Sequence, residues 1–139
     1  SSVDATALRR ARKAIGMTQA RLGELVGVAG PTRISLWESG AAEPRPNQLR
    51  RLSDVLGVPI SKLLNEVHGD RDLRRLRQES GLTIEELAAR IFVAAPTIKR
   101  WEQRLVYDLP SKAPVSELGV ALGISESQVV AALQASSRD

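Results

Sequence analysis

Basic side chains are the residues whose number and placement most suggest a chemical role. The chain contains 16 Arg and 4 Lys against 16 Asp and Glu, which gives a net charge of +4. The excess lies in residues 1–67, which carry ten basic and six acidic residues, whereas residues 68–139 carry ten of each. A basic surface attracts a nucleic-acid backbone. Charge alone leaves open the alternative that Arg9, Arg10, Arg12 and Lys13 are the solvated face of a helix.

Side chains that catalyse reactions or bind metals are scarce. The chain has no Cys, and its one His is His68. No nucleophile is paired with a base, and neither a metal-ligand spacing nor a glycine-rich phosphate loop is present. The sequence therefore predicts a protein that is not an enzyme and that binds no metal or cofactor. We interpret His68 as an exposed hinge residue.

The sequence also suggests a cellular location. No apolar run approaches the roughly 18 residues that cross a bilayer, and no signal-peptide core precedes the first helical segment. The lack of Cys favours a reducing compartment. We therefore expect a cytoplasmic protein without a membrane span.

An internal repeat sets the elements that position these residues. The segment from Gly16-Met17-Thr18 to Trp37-Glu38 is echoed by the segment from Gly81-Leu82-Thr83 to Trp101-Glu102. The repeat predicts two domains, a first module of residues 1–67 and a second module of residues 68–139.

The pattern of apolar residues predicts an all-α protein. Apolar residues recur at spacings of three and four, and no segment alternates with a period of two. Each module is predicted to contain five helices, and Leu25 is expected on the buried face of the second. Predicted N-caps are Asp4, Thr18 and Asp70, and predicted capping boxes are Thr83 with Glu86 and Ser125 with Gln128.

The second and third helices of each module form a helix-turn-helix pattern. Two helices are joined by a short turn, and a small residue, Gly23 or Ala88, lies midway along the first helix. The first module has one extra residue before Ile34. An insertion inside the helix would rotate Trp37 away from the core by about 100°. The extra residue is therefore predicted in the turn or at the first position of the helix.

At these positions the two modules resemble the lambda-repressor-like (XRE) family of bacterial helix-turn-helix proteins. The first module matches at Arg12, Gly16, Thr18-Gln19, Leu22, Gly27-Val28, Ile34-Ser35, Trp37-Glu38, Gly40, Pro44, Leu49, Leu52 and Leu56-Gly57-Val58. The second matches at Arg77, Gly81-Leu82-Thr83, Glu85-Glu86-Leu87-Ala88, Val93, Thr97-Ile98, Arg100-Trp101-Glu102 and Leu122-Gly123-Ile124. The resemblance implies two tandem five-helix domains that bind double-stranded DNA.

The resemblance implies how DNA would be bound. The third helix would enter the major groove, and the start of the second would abut a phosphate. Gln19 lies at that start in the first module, but Ile84 replaces it in the second and cannot donate a hydrogen bond. The candidate DNA-binding residues are Gln19, Thr32, Arg33, Ser35, Leu36, Arg45, Arg50, Thr97, Lys99, Arg100 and Arg104.

Direct reading of bases would depend on few side chains. Arg33 and Arg100 can each donate two hydrogen bonds to guanine, and Pro31, Leu36 or Ala95 can contact thymine methyl groups. Arg45, Arg50 and Arg104 are candidates for phosphate contacts, although each is equally interpretable as a solvated charge.

The Trp-Glu pairs are predicted to be structural. Trp37 and Trp101 lie one helical turn after Ile34 and Ile98, which favours a core position over base stacking. The resemblance implies ion pairs between Arg12 and Glu38 and between Arg77 and Glu102.

Three functions remain open at this stage. The preferred one is a sequence-specific DNA-binding transcriptional regulator at the nucleoid. In the second, the first module binds DNA while the second module is a dimerisation or partner domain, through a face formed by Val129, Val130 and Leu133. The third is a helical adaptor that binds only protein.

Overall fold

The computed structural model describes residues 2–139, and over these residues every regular element is helical apart from two isolated β-bridges. This confirms the all-α prediction. The chain divides into two compact modules at the junction of Glu66 and Val67. The first contains α1 (Ala5–Ala14), α2 (Gln19–Val26), α3 (Gly30–Ser39), α4 (Pro46–Leu56) and a 3-10 helix (Ile60–Leu63). The second contains α5 (Leu73–Glu79), α6 (Ile84–Ile91), α7 (Ala95–Glu102), a 3-10 helix (Leu109–Ser111), α8 (Val115–Leu122) and α9 (Glu126–Ser136).

The fifth helix differs between the modules. In the second module it is α9, with 11 residues. In the first it is a single 3-10 turn that ends when Leu64 becomes extended and forms a β-bridge with Val3. The amide of Asp4 also donates to the carbonyl oxygen of Leu63 at 2.9 Å. The start of the chain therefore ends this helix early by pairing with the residues that would continue it.

Four of the five predicted helix caps are present. The Asp4 carboxylate accepts from the amide of Ala7 at 3.1 Å, and the Thr18 hydroxyl accepts from the amide of Arg21 at 3.1 Å. Both capping boxes form, Thr83 with Glu86 and Ser125 with Gln128.

The prediction that Asp70 caps α5 is wrong. The helix begins at Leu73, and Asp72, directly before it, accepts from the amide of Arg75 at 2.9 Å. Asp70 lies two residues too early, because an N-cap side chain reaches only the amides of the first turn.

Each module has its own apolar core. Trp37 and Trp101 are 1% and 6% exposed, which confirms that both tryptophans are structural. The prediction that Leu25 is buried is wrong, since Leu22 and Val26 fix the inward face of α2 and leave Leu25 42% exposed.

The partner face predicted on α9 is not available. Val129 and Leu133 are 1% and 0% exposed, because they pack inside the core of the second module, and Val130 is half-buried. A partner of the second module would have to bind elsewhere.

The approach of α2 to α3 explains the small residue in the motif. A Cβ atom on Gly23 would lie 2.6 Å from the carbonyl oxygen of Gly30, the first residue of α3. Gly30 is also the extra residue: α3 begins four residues before Ile34, whereas α7 begins three before Ile98. Its φ of +59° is left-handed, a conformation that favours glycine. The insertion therefore lies at the start of the helix, as predicted.

Candidate nucleic-acid interface

The outer face of α3 is exposed over its whole first half. Ile34 and Trp37 are buried, and this fixes the rotation of the helix about its axis. The other residues from the start of α3 to Leu36 are all exposed, namely Gly30, Pro31, Thr32, Arg33, Ser35 and Leu36. Arg33 therefore lies on the solvent-exposed face of α3, whose opposite face packs in the core.

The equivalent helix α7 also has an exposed outer face, but fewer of its residues are exposed than in α3. Lys99 and Arg100 are exposed, whereas Thr97 is half-buried. Ala94 and Pro96 are exposed and Ala95 is half-buried. The cationic positions predicted in the second module are thus accessible, and Thr97 is less accessible than its counterpart Arg33.

A buried ion pair joins α1 to α3. The Arg12 Nε donates to Glu38 Oε2 at 2.6 Å, and its Nη2 donates to Glu38 Oε1 at 2.9 Å. The third donor, Nη1, binds the carbonyl oxygen of Met17 at 2.8 Å. The second module repeats the arrangement, with Arg77 donating to both oxygens of Glu102 at 2.7 and 2.9 Å and to the carbonyl oxygen of Leu82 at 2.9 Å.

In the first module, pairing shifts the pKa of both Arg12 and Glu38. Burial by itself would raise the pKa of Glu38, but hydrogen bonds from Arg12 and Gln19, with the charges of Arg12 and Arg9, outweigh burial and lower that pKa. The hydrogen bond to Glu38 raises the pKa of Arg12, against the opposing effect of burial. Glu38 is therefore held as a carboxylate inside the module.

Gln19 is bound to the same carboxylate. Its Nε2 donates to Glu38 Oε1 at 3.1 Å, an interaction that the sequence does not reveal. An amide nitrogen carries two donors, so Glu38 orients the Gln19 side chain and leaves a second N–H for another acceptor. Ile84 occupies the corresponding place in the second module, where no such donor exists.

An open cleft of about 280 Å³ brings three elements of the first module together. It is lined by Arg9 of α1, Gln19 of α2, and Ser35, Glu38 and Ser39 of α3. Arg9 is the residue that sequence reasoning missed, because only the packing of α1 against α3 places it beside Gln19. The second module has an equivalent cleft of about 260 Å³, lined by Arg74, Arg77, Ile84, Lys99, Glu102 and Gln103.

The starts of α2 and α6 differ in charge. The first turn of α2 contains no acidic residue, whereas that of α6 contains Glu85 and Glu86. A helix N-terminus attracts anions through its free amides and dipole. Two carboxylates at the start of α6 weaken that attraction, so the first module offers the better seat for a phosphate.

The flanking arginines have different surroundings. Arg45 is exposed at the start of α4, and Arg50 is half-buried one turn later. Arg51, which follows Arg50 on α4, donates from Nη1 to the carbonyl oxygen of Val26 at 3.1 Å. Arg104 is paired with Asp72 at 3.4 Å on the exposed surface.

Other kinds of site have little support. In the described part of the chain, no three His, Cys, Asp or Glu side chains are grouped so as to hold a metal ion. Over residues 2–139 no single helix has the length and apolarity to span a membrane; α8 and α9 reach them only when joined across a 107° bend.

Two exposed third helices, each fixed by a buried Arg-Glu pair and preceded by a tight turn, define a DNA-binding helix-turn-helix class. Residues 8–63 match a family model described as helix-turn-helix, and residues 71–132 match a second, described as helix-turn-helix domain. The chain consists of two tandem helix-turn-helix domains and belongs to the lambda-repressor-like (XRE) type of this family. No curated protein and no solved structure matches the chain.

Proposed function

We propose that this chain is a sequence-specific DNA-binding transcriptional regulator whose first module is the main anchor. In this proposal α3 lies in the major groove, Arg33 donates to guanine, and Thr32, Ser35 and Leu36 contact neighbouring base edges. Arg45 and Arg50 contact phosphates on one side of the helix. Both modules are binding domains, for DNA or for a protein partner, and neither catalyses a reaction. The protein acts in the cytoplasm, at the nucleoid.

The cleft beside α3 carries this proposal. Arg9, Gln19 and Ser35 converge there from three helices, next to the acid-free N-terminus of α2. The Glu38 carboxylate also lines the cleft, but its charge is balanced by Arg12. A phosphate seated in the cleft would receive a charged hydrogen bond from Arg9 and the second N–H of Gln19. The same seat would fix the depth of α3, so that Arg33 reaches base edges.

A second candidate function concerns the second module, which either reads an adjacent half-site or holds a protein partner. Reading DNA is favoured by the exposed Lys99 and Arg100 and by Arg74 in the cleft. A partner role is favoured by Ile84, by the acidic start of α6 and by a net charge of zero over residues 68–139. In the version with two DNA readers, Thr97, Lys99, Arg100 and Arg104 make the contacts.

The test is to select binding sites for the full chain from a pool of duplexes with a random centre, and then to compare variants on the selected site by fluorescence anisotropy. We expect Arg33→Ala to weaken binding about 5- to 150-fold and to relax preference at one base pair. Arg100→Ala removes the guanine-reading candidate of the second module, and we expect less than about a twofold change. If Arg100→Ala costs more affinity than Arg33→Ala, the first module is not the main anchor.

Salt separates DNA binding from a protein-only adaptor. Binding to DNA releases counterions, so we expect affinity to fall steeply between about 50 and 200 mM salt. A chain that selects no sequence and retards no duplex at the lower salt concentration would overturn the proposed function.

A further inference from the structure

The second module carries an open apolar groove of about 500 Å³ between the end of α6 and α8. Phe92 and Val120 are its largest apolar side chains, and they are 90% and 85% exposed. Phe92 is the only Phe in the chain. The groove is lined by Arg90, Phe92, Ser116, Glu117, Val120 and Ala121.

Phe92 is unfavourable for the isolated module in two ways. It exposes an aromatic ring to water, and it ends α6 with a φ of +61°, a left-handed conformation that side chains other than glycine disfavour. The first module ends α2 with Gly27, whose φ is +81°. A residue that breaks two local rules at one position, where the other copy of the repeat obeys both, points to a function.

The equivalent surface of the first module carries different side chains. Arg51 corresponds to Glu117 and lies over the end of α2, where it donates to the carbonyl oxygen of Val26. Asp54 corresponds to Val120. The second module thus has Val120 and Phe92 where the first has Asp54 and Gly27, and Arg90 where the first has the exposed Leu25.

The charges on the groove bear on the kind of partner that fits it. Arg90 comes from α6 and Glu117 from α8, so the two helices bring one positive and one negative side chain to the same apolar patch. Both are exposed. Under a two-fold axis, Arg90 of each copy would meet Glu117 of the other, which makes the patch complementary to itself. A neutral apolar surface of this kind does not suit a phosphate backbone.

We propose that two copies of this chain associate through this groove, with Phe92 and Val120 buried at the centre and two Arg90–Glu117 pairs at the rim. The inference rests on the partner role of the second module and names both the surface and the partner. Because the patch is small, we expect a weak dimer. A two-fold dimer would make the bound DNA site palindromic.

Sedimentation velocity of the full chain without DNA tests the proposal. We expect a monomer–dimer equilibrium in the wild type that shifts to dimer as the concentration rises. Phe92→Gly should weaken association at least about tenfold. Glycine suits the left-handed φ at this position, so this variant should melt at the same temperature as the wild type or higher. Leu105→Ser is the control, since Leu105 is exposed but does not line the groove, and it should associate like the wild type.

Charge reversal tests the two-fold arrangement itself. Arg90→Glu and Glu117→Arg should each be monomeric, because each places like charges opposite one another. Mixed together, the two single variants should form a heterodimer, since every Glu then faces an Arg. A mixture that remains monomeric while both variants are folded would overturn the arrangement.

The two proposals fail separately. A wild-type chain that stays monomeric at all concentrations overturns the dimer, whereas loss of selected DNA binding in Arg33→Ala is measured on a different module. If Phe92→Gly and Leu105→Ser associate as the wild type does, the groove is not the contact surface.

Discussion

At the scale of single residues, one carboxylate serves both the fold and the interface. Glu38 Oε1 accepts from Arg12 Nη2 at 2.9 Å and from Gln19 Nε2 at 3.1 Å. The Arg12 bond ties α3 to α1, and the Gln19 bond aims an amide into the cleft that we propose for a phosphate. We therefore expect a change at Glu38 to lower stability first and DNA affinity as a consequence.

Removing this carboxylate should destabilise the first module strongly. Glu38→Ala leaves the Arg12 guanidinium, whose side chain is 10% exposed, without its partner. Breaking one partner out of a buried pair costs roughly 3 kcal/mol, which corresponds to a fall of more than about 10 °C in melting temperature for a small domain. The matched control is Glu24→Ala, because Glu24 pairs with Arg21 on the open surface. Thermal unfolding should separate the two variants, and equal melting temperatures would remove the buried pair as a source of stability.

The same pair should make stability depend on pH. The pKa of Glu38 is lower in the folded chain than in the unfolded chain, so its contribution is complete above the unfolded pKa and is lost as the pH falls through the folded pKa. We expect the free energy of unfolding in urea to drop more in the wild type than in Glu38→Gln between about pH 7 and pH 3. Parallel curves for the two proteins would contradict this assignment.

Residue contacts were predictable only where a pattern specifies both partners. The Arg12–Glu38 and Arg77–Glu102 pairs follow from the family resemblance, because both members belong to its motif. Gln19 binding to Glu38 depends on a side-chain rotamer, which no spacing in the sequence encodes. Phe92, in contrast, could have been noticed in the sequence, because it occupies the position that Gly27 has in the first copy of the repeat. A bulky residue is unusual at a helix end that needs a positive φ.

At the scale of elements, the packing of α2 against α3 positions α3, the helix that we propose enters the major groove of DNA. A Cβ on Gly23 would lie 2.6 Å from the backbone oxygen of Gly30, and a backbone atom cannot move aside as a side chain does. Gly23→Ala must therefore separate the two helices. We expect destabilisation of about 1–3 kcal/mol in chemical unfolding and weaker DNA binding as α3 tilts.

The second module provides the matched control for this packing. Ala88 already occupies the corresponding position and is buried, so its surroundings accommodate a Cβ. Ala88→Gly should cost only about 1 kcal/mol, from helix propensity, without loss of DNA affinity. If Gly23→Ala is as mild as Ala88→Gly, the close approach does not set the position of α3.

Helix boundaries followed from the sequence where local chemistry decides them. Thr83 with Glu86 and Ser125 with Gln128 form capping boxes within four residues, so no tertiary information is needed. The choice between Asp70 and Asp72 as the N-cap depends on where α5 packs. The short fifth helix of the first module depends on the pairing of Leu64 with Val3, which lies at the start of the same module. Contacts of that range lie outside what periodicity can indicate.

At the scale of the whole molecule, the two modules have similar cores but different surfaces. The buried Arg-Glu pairs and the tryptophans are equivalent, whereas the modules differ at the start of the third helix, in the fifth helix, at the start of α6 and in the groove between α6 and α8. The charge excess of +4 belongs entirely to residues 1–67. Duplication of a scaffold with divergence of its surface is what we expect if one copy holds DNA and the other holds a second chain.

The salt dependence of binding shows which module lies on the phosphate backbone. The slope of log affinity against log salt changes by about 0.9 for each phosphate that the protein ceases to neutralise. Arg45→Ala, in the first module, should reduce the slope by that amount. Arg104→Ala, which removes the phosphate candidate of the second module, should leave the slope unchanged, because Arg104 pairs with Asp72 and we propose that its module binds a second chain. Titrations of both variants on one selected duplex at several salt concentrations give the two slopes side by side. An equal reduction in both would mean that the second module also lies on DNA, and the division of roles between the modules would then be wrong.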